Sequence, residues 1–313
     1  MLATCMFDLQ GHRGARGLWP ENTLWGFERA IEMGVCALEF DCAVTRDGIV
    51  VVTHDPELSP DGTRAATGDF LVVTGPAIRS LSFAQLQSYD VGRLRPASTY
   101  ARQFPQQAGI DGLRIPRLSE VLSLILARGK GRVRACVEVK TFPGRPQLTP
   151  DAAEFMRAIR AEVVRTGSGA IVSILAFDWR VLAAARDLLP AAPRVALSEQ
   201  QPGEDTVMLG SPQPSPWLAG LDPNDFAGSM PRLVQASGAQ SWGPNYLDLD
   251  AQQVAEAHAL GLRVVPFTVN ERRDMERMLA LQVDGMISDR PDILREVLSA
   301  RGMEIPAGAR EFT

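Results

Sequence analysis

Short apolar runs typical of buried strands alternate along the chain with segments in which apolar residues recur at helical spacing. Near the start, Leu24, Phe27 and Ile31 share one helical face, and Gly34 is expected to end that helix. The predicted strands are the run that ends at His12 and the segments 35–44, 49–53, 133–140, 170–177, 194–198, 240–243 and 263–268. The side chains expected to cap helices are Asn22, Ser82, Ser119, Asp151, Asp178, Asp250 and Asn270. This alternation predicts βαβ units and a parallel sheet.

The number of predicted strands favours a closed barrel over an open sheet. Eight or so strands over about 290 residues suit an α/β fold of the TIM type, a (β/α)8 barrel. An open dinucleotide-binding sheet needs a G-x-G-x-x-G fingerprint after its first strand, and Gly11-His12-Arg13-Gly14 does not supply it. In barrels, functional side chains gather at the carboxyl ends of the strands, so those positions are where chemistry is expected.

One stretch departs from the regular alternation. Residues 56–116 are rich in Gly, Pro, Ser and Thr and carry one short helix signal, the capping box that begins at Ser82. We predict a single barrel domain over 7–300, with 56–116 as a small insertion within it. The tail at 301–313 has no periodicity and is expected to be poorly ordered.

The charge balance limits the choice of partner. The 313 residues carry a net charge of −5 without a block of lysine and arginine, which argues against nucleic acid. A small anionic substrate remains compatible, because a few local cations or a metal ion can hold it. The sequence leaves the oligomeric state open.

Cysteine usage and the terminus bear on the compartment. The four cysteines show no C-x-x-C spacing and are expected to be buried thiols: Cys5, Cys36, Cys42 and Cys136. No signal-peptide pattern begins the chain, and no window approaches the ~18 apolar residues of a membrane span. We therefore expect a cytoplasmic protein without stable membrane insertion, or a periplasmic one if a leader has been removed.

Two of the three histidines occupy equivalent positions. His12 and His54 each end a strand-like apolar run, and each is followed by a charged residue. Histidine is the side chain whose ordinary pKa lies between pH 5 and 8, so a pair at one barrel mouth suits proton transfer. His258 lies on an evident helix at 255–259, where a surface or packing role is expected.

Carboxylates accompany the histidines at predicted strand ends. Glu39 and Asp41 share one face of their strand, and Glu138 and Lys140 repeat this spacing. Three carboxylates at one barrel mouth suit a divalent cation with oxygen ligands, Mg²⁺ or Ca²⁺. A structural ion-pair cluster with Arg13 and Lys140 is the alternative. The guanidinium of Arg13 also suits bidentate binding of phosphate.

Other chemistry finds less support. Nothing matches H-E-x-x-H, paired-cysteine spacing or a G-x-S-x-G elbow, so zinc sites and serine hydrolases are disfavoured. Trp242 and Phe267 lie near late strand ends, where they are equally suited to a pocket wall or to the core.

These motifs, in this order, resemble the glycerophosphodiester phosphodiesterase family. The N-terminal blocks that carry the resemblance are Gly11-His12-Arg13-Gly14, Pro20-Glu21-Asn22-Thr23, Glu39-x-Asp41, Thr45-x-Asp47-Gly48 and Val52-x-His54-Asp55. The later blocks are Glu138-x-Lys140, Thr268-Val269-Asn270 and Asp284-Gly285-x-Ile287-Ser288-Asp289-Arg290-Pro291. The resemblance spans residues 11 to about 295 and includes a small subdomain inserted after the His-Asp block.

The resemblance implies a TIM-type barrel that hydrolyses glycerophosphodiesters to glycerol 3-phosphate and an alcohol with a divalent metal. By residue it implies His12 and His54 as the acid–base pair, Glu39, Asp41 and Glu138 as metal ligands, and Arg13 and Lys140 at the phosphate. Two positions depart from the family pattern, because Phe267 replaces a common tryptophan and Ala176 replaces a common serine. Both departures concern the substrate pocket.

Two alternatives share the same fold. A phospholipase D-like or phosphoinositide-cleaving barrel would act on lipids and needs an apolar rim or a basic interfacial patch. The insertion contains the apolar run 70–73 but no basic amphipathic helix. A non-catalytic barrel that binds phosphodiesters would be marked by loss of a histidine or a carboxylate, and none of these residues is missing.

Overall fold

The computed structural model describes residues 7–308, and it contains a barrel of parallel strands. The strands are β1 (Asp8–His12), β2 (Ala37–Val44), β3 (Val50–Val52), β4 (Arg134–Val139), β5 (Val172–Ala176), β6 (Arg194–Ser198), β7 (Ser241–Pro244), β8 (Arg263–Val264) and β9 (Gly285–Ser288). Their order in the sheet is β8-β7-β6-β5-β4-β2-β1-β9, and β3 lies off this path, antiparallel to β2. The predicted TIM-type (β/α)8 barrel is confirmed.

The two ends of the sheet meet through backbone hydrogen bonds. The amide of Asp284 donates to the carbonyl of Val264 at 2.9 Å, and the amide of Ile287 donates to that of Pro266 at 3.0 Å. These bonds bring β9 beside β8, so the barrel is nearly closed. The sequence did not predict β9, because this four-residue run is short and turn-forming residues flank it.

Helices follow most strands and cover the outside of the barrel. They are α1 (Leu24–Met33), α2 (Phe83–Leu86), α3 (Thr99–Gln103), α4 (Leu118–Gly129), α5 (Ala152–Thr166), α6 (Trp179–Leu188), α7 (Met230–Ser237), α8 (Ala251–Ala259), α9 (Arg272–Ala280) and α10 (Pro291–Ala300). The predicted caps that accept a backbone N–H at a helix start are Ser82, Asp151, Asp178 and Asp250.

Three helix starts differ from the prediction. The caps of α1, α4 and α9 are Thr23, Arg117 and Glu271, in place of Asn22, Ser119 and Asn270. Both asparagines instead bind carboxylates of the barrel, Asp41 and Asp289 respectively. A tertiary hydrogen bond has therefore overridden the local capping preference at these two positions.

Side-chain alternation in β2 separates the core from the site. Leu38, Phe40 and Cys42 face the helices in the main hydrophobic core, whereas Glu39 and Asp41 face the barrel interior. Phe40 is fully buried and makes an edge-to-face contact with Phe27, with ring centroids 5.5 Å apart. Burial of one such ring stabilises the fold by about 1.5–3 kcal/mol. Packing on the outer face thus holds the two carboxylates at the inner face.

A separate apolar cluster forms the middle of the barrel below the carboxylates. Its buried members are Ala37, Cys136, Leu175, Leu197, Val265 and Ile287. These side chains fill the interior, so the barrel is a packed cylinder with polar groups at its ends. The carboxyl-end layer above this cluster is the site described below.

The segment 56–116 has a small cluster of its own. Leu58, Ile78 and Leu86 pack there with Ala43 of β2 and Val51 of β3. The segment contains the short helices α2 and α3 and lies beside the carboxyl end of the barrel, next to His54.

The C-terminal tail and the cysteines complete the fold. Residues 301–308 form no helix or strand, but Met303 and Ile305 pack against the main core. Cys42 and Cys136 are buried, as is Cys36, whose thiol donates to a backbone carbonyl. Cys5 and residues 309–313 lie outside the described range. The prediction about a leader likewise concerns residues outside that range. Within 7–308, no helix is both long and apolar enough to cross a membrane.

Candidate active site

The strand register brings the predicted site residues together at the carboxyl end of the barrel. His12, the last residue of β1, lies opposite Glu39 of β2. Asp41 lies opposite Glu138 of β4, and Lys140 follows that strand directly. Because inward-facing residues recur at every second position, all five side chains face the barrel interior near its carboxyl end.

Three buried carboxylates form the centre of this layer. Glu39, Asp41 and Glu138 offer oxygens that lie within 4.8 Å of one another. Burial and the neighbouring carboxylates raise the pKa of Glu39 well above its ordinary value, and burial raises that of Glu138. Oxygen Oε1 of Glu39 is buried and accepts no hydrogen bond within the described chain, whereas Oδ1 of Asp41 is paired with the ammonium of Lys140. Clustered carboxylate oxygens, one of which lacks a partner, fit a divalent cation.

Two basic side chains surround the carboxylates. The ammonium of Lys140 pairs with Glu138 and lies 3.2 Å from Asp41 Oδ1. Arg13 Nε lies 3.3 Å from Asp41 Oδ2, and its backbone amide donates to Glu39 at 3.1 Å. Burial opposes ionisation of Asp41, but Lys140, His54 and Arg13 together hold its pKa well below the ordinary value. The site thus contains both the ion pairs of the structural alternative and one buried carboxylate oxygen without a partner, Glu39 Oε1, as a cation site would.

His12 is fixed by a carboxylate from the last strand. Its Nδ1 lies 2.6 Å from Asp289 Oδ1, and its Nε2 lies 3.7 Å from Glu39 Oε2. Burial lowers the pKa of His12 to about 4, although Asp289 acts in the opposite direction. The imidazole is therefore neutral at pH 7, with Nδ1 as the donor to Asp289 and Nε2 facing the carboxylate layer.

His54 lies at the same mouth but is more open to solvent. Its side chain is 32% exposed, and its Nδ1 lies 2.7 Å from Asp55 Oδ1. Desolvation, Arg13 and Lys140 lower the pKa of His54 to about 4. Both imidazoles help to lower the pKa of Asp41. The backbone amide of Thr53, the residue before His54, donates to the backbone carbonyl of Asp41 at 2.9 Å. The two predicted histidines therefore lie at the same end of the barrel as the carboxylates.

Three polar residues of the site received no predicted role in its chemistry, although each stands in a block that carries the family resemblance. Asp289 binds His12, Glu21 accepts a 2.8 Å hydrogen bond from Arg13 Nη1, and Asn22 donates to Asp41 Oδ2 at 3.0 Å. Asp289 directly follows the apolar run of β9, so the strand-end pattern that singled out His12 applied to it as well. Glu21 and Asn22 lie in a loop, where periodicity carries no signal.

Close packing in the loop after β1 explains two glycines. A Cβ on Gly11 would lie 1.9 Å from the carbonyl oxygen of Gly14. A Cβ on Gly17 would lie 2.7 Å from the carbonyl oxygen of Asp289, to which the Gly17 amide donates at 3.1 Å. Only glycine permits these approaches, which fold the loop back over the barrel mouth.

The remaining predicted residues lie in different layers. Phe267 is half-buried and packs edge-to-face on Phe177 at 5.5 Å, with Lys140 Nζ 5.6 Å from the Phe177 ring centre. Trp242 is fully buried in the main core and donates its indole N–H to Ser198 Oγ. His258 is exposed on α8 and contacts Asp284, at the amino end of β9.

A cavity of about 350 Å³ opens beside the site, between the barrel and the insertion. Arg13, Glu21 and His54 line it on the barrel side, and Leu94 and Tyr100 line it on the insertion side. A larger cavity of about 540 Å³ lies at the opposite end of the barrel and includes none of the site residues.

A model of the glycerophosphoryl diester phosphodiesterase family matches residues 12–293, from the first site histidine to beyond Asp289. The chain belongs to this family. Family membership makes it a phosphoric diester hydrolase that acts on glycerophosphodiesters. A glycerophosphodiester phosphodiesterase of Bacillus subtilis (strain 168) is 25% identical over 288 residues, which cover 91% of this chain and 84% of that protein.

Solved structures share the fold over nearly the full length. One assigned to this family, from Silicibacter pomeroyi DSS-3, is 34% identical with a TM-score of 0.85, and the match covers 97% of this chain and 96% of that one. A phosphodiesterase of Oleispira antarctica, in complex with the product sn-glycerol-3-phosphate, is 22% identical with a TM-score of 0.67. That match covers 93% of this chain and 96% of the other, and it shows the fold alone.

Proposed function

We propose that this protein hydrolyses glycerophosphodiesters to glycerol 3-phosphate and an alcohol, with a divalent cation and two histidines as acid and base. The observation that carries the proposal is that two histidines, His12 and His54, lie at the barrel mouth that contains a buried cluster of three carboxylates. The product is supported by family membership and by the glycerol 3-phosphate complex of the Oleispira protein.

The proposed cation is Mg²⁺ or Ca²⁺, and Glu39, Asp41 and Glu138 would hold it. When bound, it supplies positive charge that offsets the negative charge building on the phosphoryl oxygens. The unpartnered oxygen of Glu39, Oε1, supports this assignment, because a buried acceptor without a partner is costly.

Arg13 and Lys140 are proposed to bind the phosphate. Glu21 and Asp41 hold the Arg13 guanidinium from two sides, so little reorganisation is needed when substrate binds. Lys140 adds a second positive charge beside the carboxylate cluster. Fixed positive groups of this kind stabilise the transition state because its charge exceeds that of the substrate.

The two histidines are proposed to move the protons. Each has a carboxylate at Nδ1, Asp289 for His12 and Asp55 for His54, which leaves Nε2 for the reacting groups. One imidazole, in its neutral form, accepts the proton of the nucleophile on Nε2, and the other, in its protonated form, delivers its Nε2 proton to the leaving oxygen. The negative charge of the bound phosphodiester favours that protonated form. Each transfer is worth about 10²–10⁴ in rate.

The test measures release of glycerol 3-phosphate from a panel of glycerophosphodiesters, before and after exhaustive chelation. We expect chelation, His12→Ala and His54→Ala each to lower the rate at least about 100-fold. His258→Ala is the matched control, because this exposed histidine lies at the other end of the barrel and its loss should leave the rate unchanged. Full activity after chelation would remove the cation from the scheme, and full activity of either site variant would remove that histidine.

One observation favours lipid substrates as a second candidate. Val72 and Val73, within the apolar run of the insertion, are 85% and 69% exposed. Exposed aliphatic side chains of this kind can enter a lipid surface. If lipids are the substrate, lysophospholipid dispersions will be cleaved faster than soluble glycerophosphodiesters, and the Val72→Ser/Val73→Ser double variant will lose activity on the dispersions only.

A further inference from the structure

Tyr100, on helix α3 of the insertion, contacts residues of the active site through its phenol hydroxyl. We propose that Tyr100 is a positioning residue, which orients Arg13 through Glu21 and orients His12 through Arg16 and Asp289. The inference rests on the proposed function and adds that the docked insertion completes the active site.

The first branch runs from Tyr100 to the phosphate-binding arginine. The Tyr100 hydroxyl donates to Glu21 Oε2, and Glu21 Oε1 accepts from Arg13 Nη1 at 2.8 Å. Arg13 Nε lies 3.3 Å from Asp41. Burial and the Glu21 carboxylate raise the pKa of Tyr100 well above its ordinary value, so the phenol stays protonated and keeps donating. The hydroxyl thus fixes the carboxylate that holds one side of the guanidinium.

The second branch runs from Tyr100 to the buried histidine. Arg16 Nη1 donates to the Tyr100 hydroxyl oxygen at 3.1 Å, and Arg16 Nε donates to Asp289 Oδ1 at 2.7 Å. The same Asp289 oxygen lies 2.6 Å from His12 Nδ1. The Arg16 guanidinium also stacks on the Phe104 ring, 4.7 Å from its centre. Arg16 is therefore held between the insertion and the carboxylate that orients His12.

Hydrogen bonds to backbone carbonyls of the loop after β1 show that the insertion is docked beside Arg16. Gln107 Nε2 donates to the Arg16 carbonyl at 2.7 Å, and the Ala108 amide donates to the Leu18 carbonyl at 2.8 Å. The Tyr100 ring packs edge-to-face on Phe104 at 5.1 Å. Tyr100→Phe removes the hydroxyl and keeps these contacts, so the insertion is expected to stay docked in that variant.

A positioning role and a purely structural role differ in their kinetics. Loss of the hydroxyl frees Glu21 and Arg16 to reorient, which misplaces groups that matter most in the transition state. We therefore expect Tyr100→Phe to lower kcat for glycerol 3-phosphate release about tenfold, with KM changed less than about twofold. A structural role would lower the melting temperature and leave kcat unchanged.

A double-mutant cycle with Glu21→Gln tests the first branch directly. If Tyr100 acts through Glu21, the effect of Tyr100→Phe on kcat will shrink to less than about threefold in the Glu21→Gln background. Tyr89→Phe is the matched control, since it removes a phenol hydroxyl from the same insertion, where the ring packs on the small cluster.

The outcomes separate this inference from the proposed function. An active wild type with an unchanged kcat in Tyr100→Phe would overturn the positioning role and leave the function intact. Additive effects of Tyr100→Phe and Glu21→Gln would overturn the route through Glu21. A wild type that releases no glycerol 3-phosphate from any diester would refute the proposed function itself.

Discussion

Asp289 offers the sharpest test of how the barrel prepares His12. Its Oδ1 lies 2.6 Å from His12 Nδ1 and 2.7 Å from Arg16 Nε, and the side chain is almost fully buried. The carboxylate keeps the imidazole proton on Nδ1 and stabilises the imidazolium that forms when Nε2 takes a proton. Asp289→Asn preserves the size of the side chain but removes its charge and allows the other imidazole tautomer.

The expected loss follows from this geometry. Because a short hydrogen bond to a charged group is broken next to the reacting nitrogen, most of the acid–base contribution of His12 should disappear. We predict that kcat falls about 10²–10³-fold, within the range of general acid–base catalysis. KM should change little, since Asp289 contacts His12 and Arg16, neither of which is proposed to bind the phosphate.

The assay is the initial rate of glycerol 3-phosphate release, at a temperature well below the melting transition of each variant. Removal of the carboxylate leaves Arg16 without its anionic partner, which should cost about 1.5–3 kcal/mol of stability. Folding is therefore checked by circular dichroism. Asp292→Asn is the control, because Asp292 pairs with Arg290 at the start of α10, outside the site. A folded Asp289→Asn variant with kcat within threefold of wild type would refute the reasoning.

Three further predictions concern charge and packing. Divalent cations should raise the melting temperature of the chelated protein, and Glu39→Gln should abolish that rise because it removes a proposed ligand. Without a cation, Glu39→Gln should stabilise the protein at pH 7. The pKa of Glu39 is raised in the folded state, so its ionised form opposes folding. The Asp289 pKa is lowered in the folded state, so its stabilisation is present above its unfolded value near pH 3.9 and is lost as the pH falls through the folded value. Urea unfolding should accordingly show the stability gap between wild type and Asp289→Asn narrowing progressively as the pH falls below about 4. Gly11→Ala should lower the free energy of unfolding by more than about 2 kcal/mol, since the added Cβ meets the Gly14 carbonyl oxygen at 1.9 Å. An unchanged free energy of unfolding would contradict that packing.

Most of the fold could be predicted because its signals are local. Alternating apolar runs and helical repeats predicted the barrel, and caps such as Asp151 and Asp178 begin helices as expected. Where the prediction failed, a distant partner decided the outcome. Asn22 and Asn270 are good capping residues, but carboxylates of the barrel bind them more closely.

The candidate site shows the same division. Alternation along β2 and β4 was sufficient to align Glu39, Asp41 and Glu138 on inward faces. The partnership of His12 with Asp289 joins residues 277 positions apart, and it exists because β9 lies beside β1 in the barrel. The proposed contribution of Tyr100 likewise depends on how the insertion packs against the barrel. Local periodicity carries no information about that packing.

The amino-acid sequence alone determined the features that depend on neighbours along the chain. These are the positions of strands and helices, the strand face on which each carboxylate lies, and the residue types available for acid–base chemistry. Only the tertiary structure decided which strand ends meet, and which charge state the ionisable side chains at those ends adopt. The pKa values of His12 and His54 fall to about 4 because the folded protein removes water and places cations around them. Desolvation and Coulomb interactions act through space, so they take their values only when distant segments are packed together.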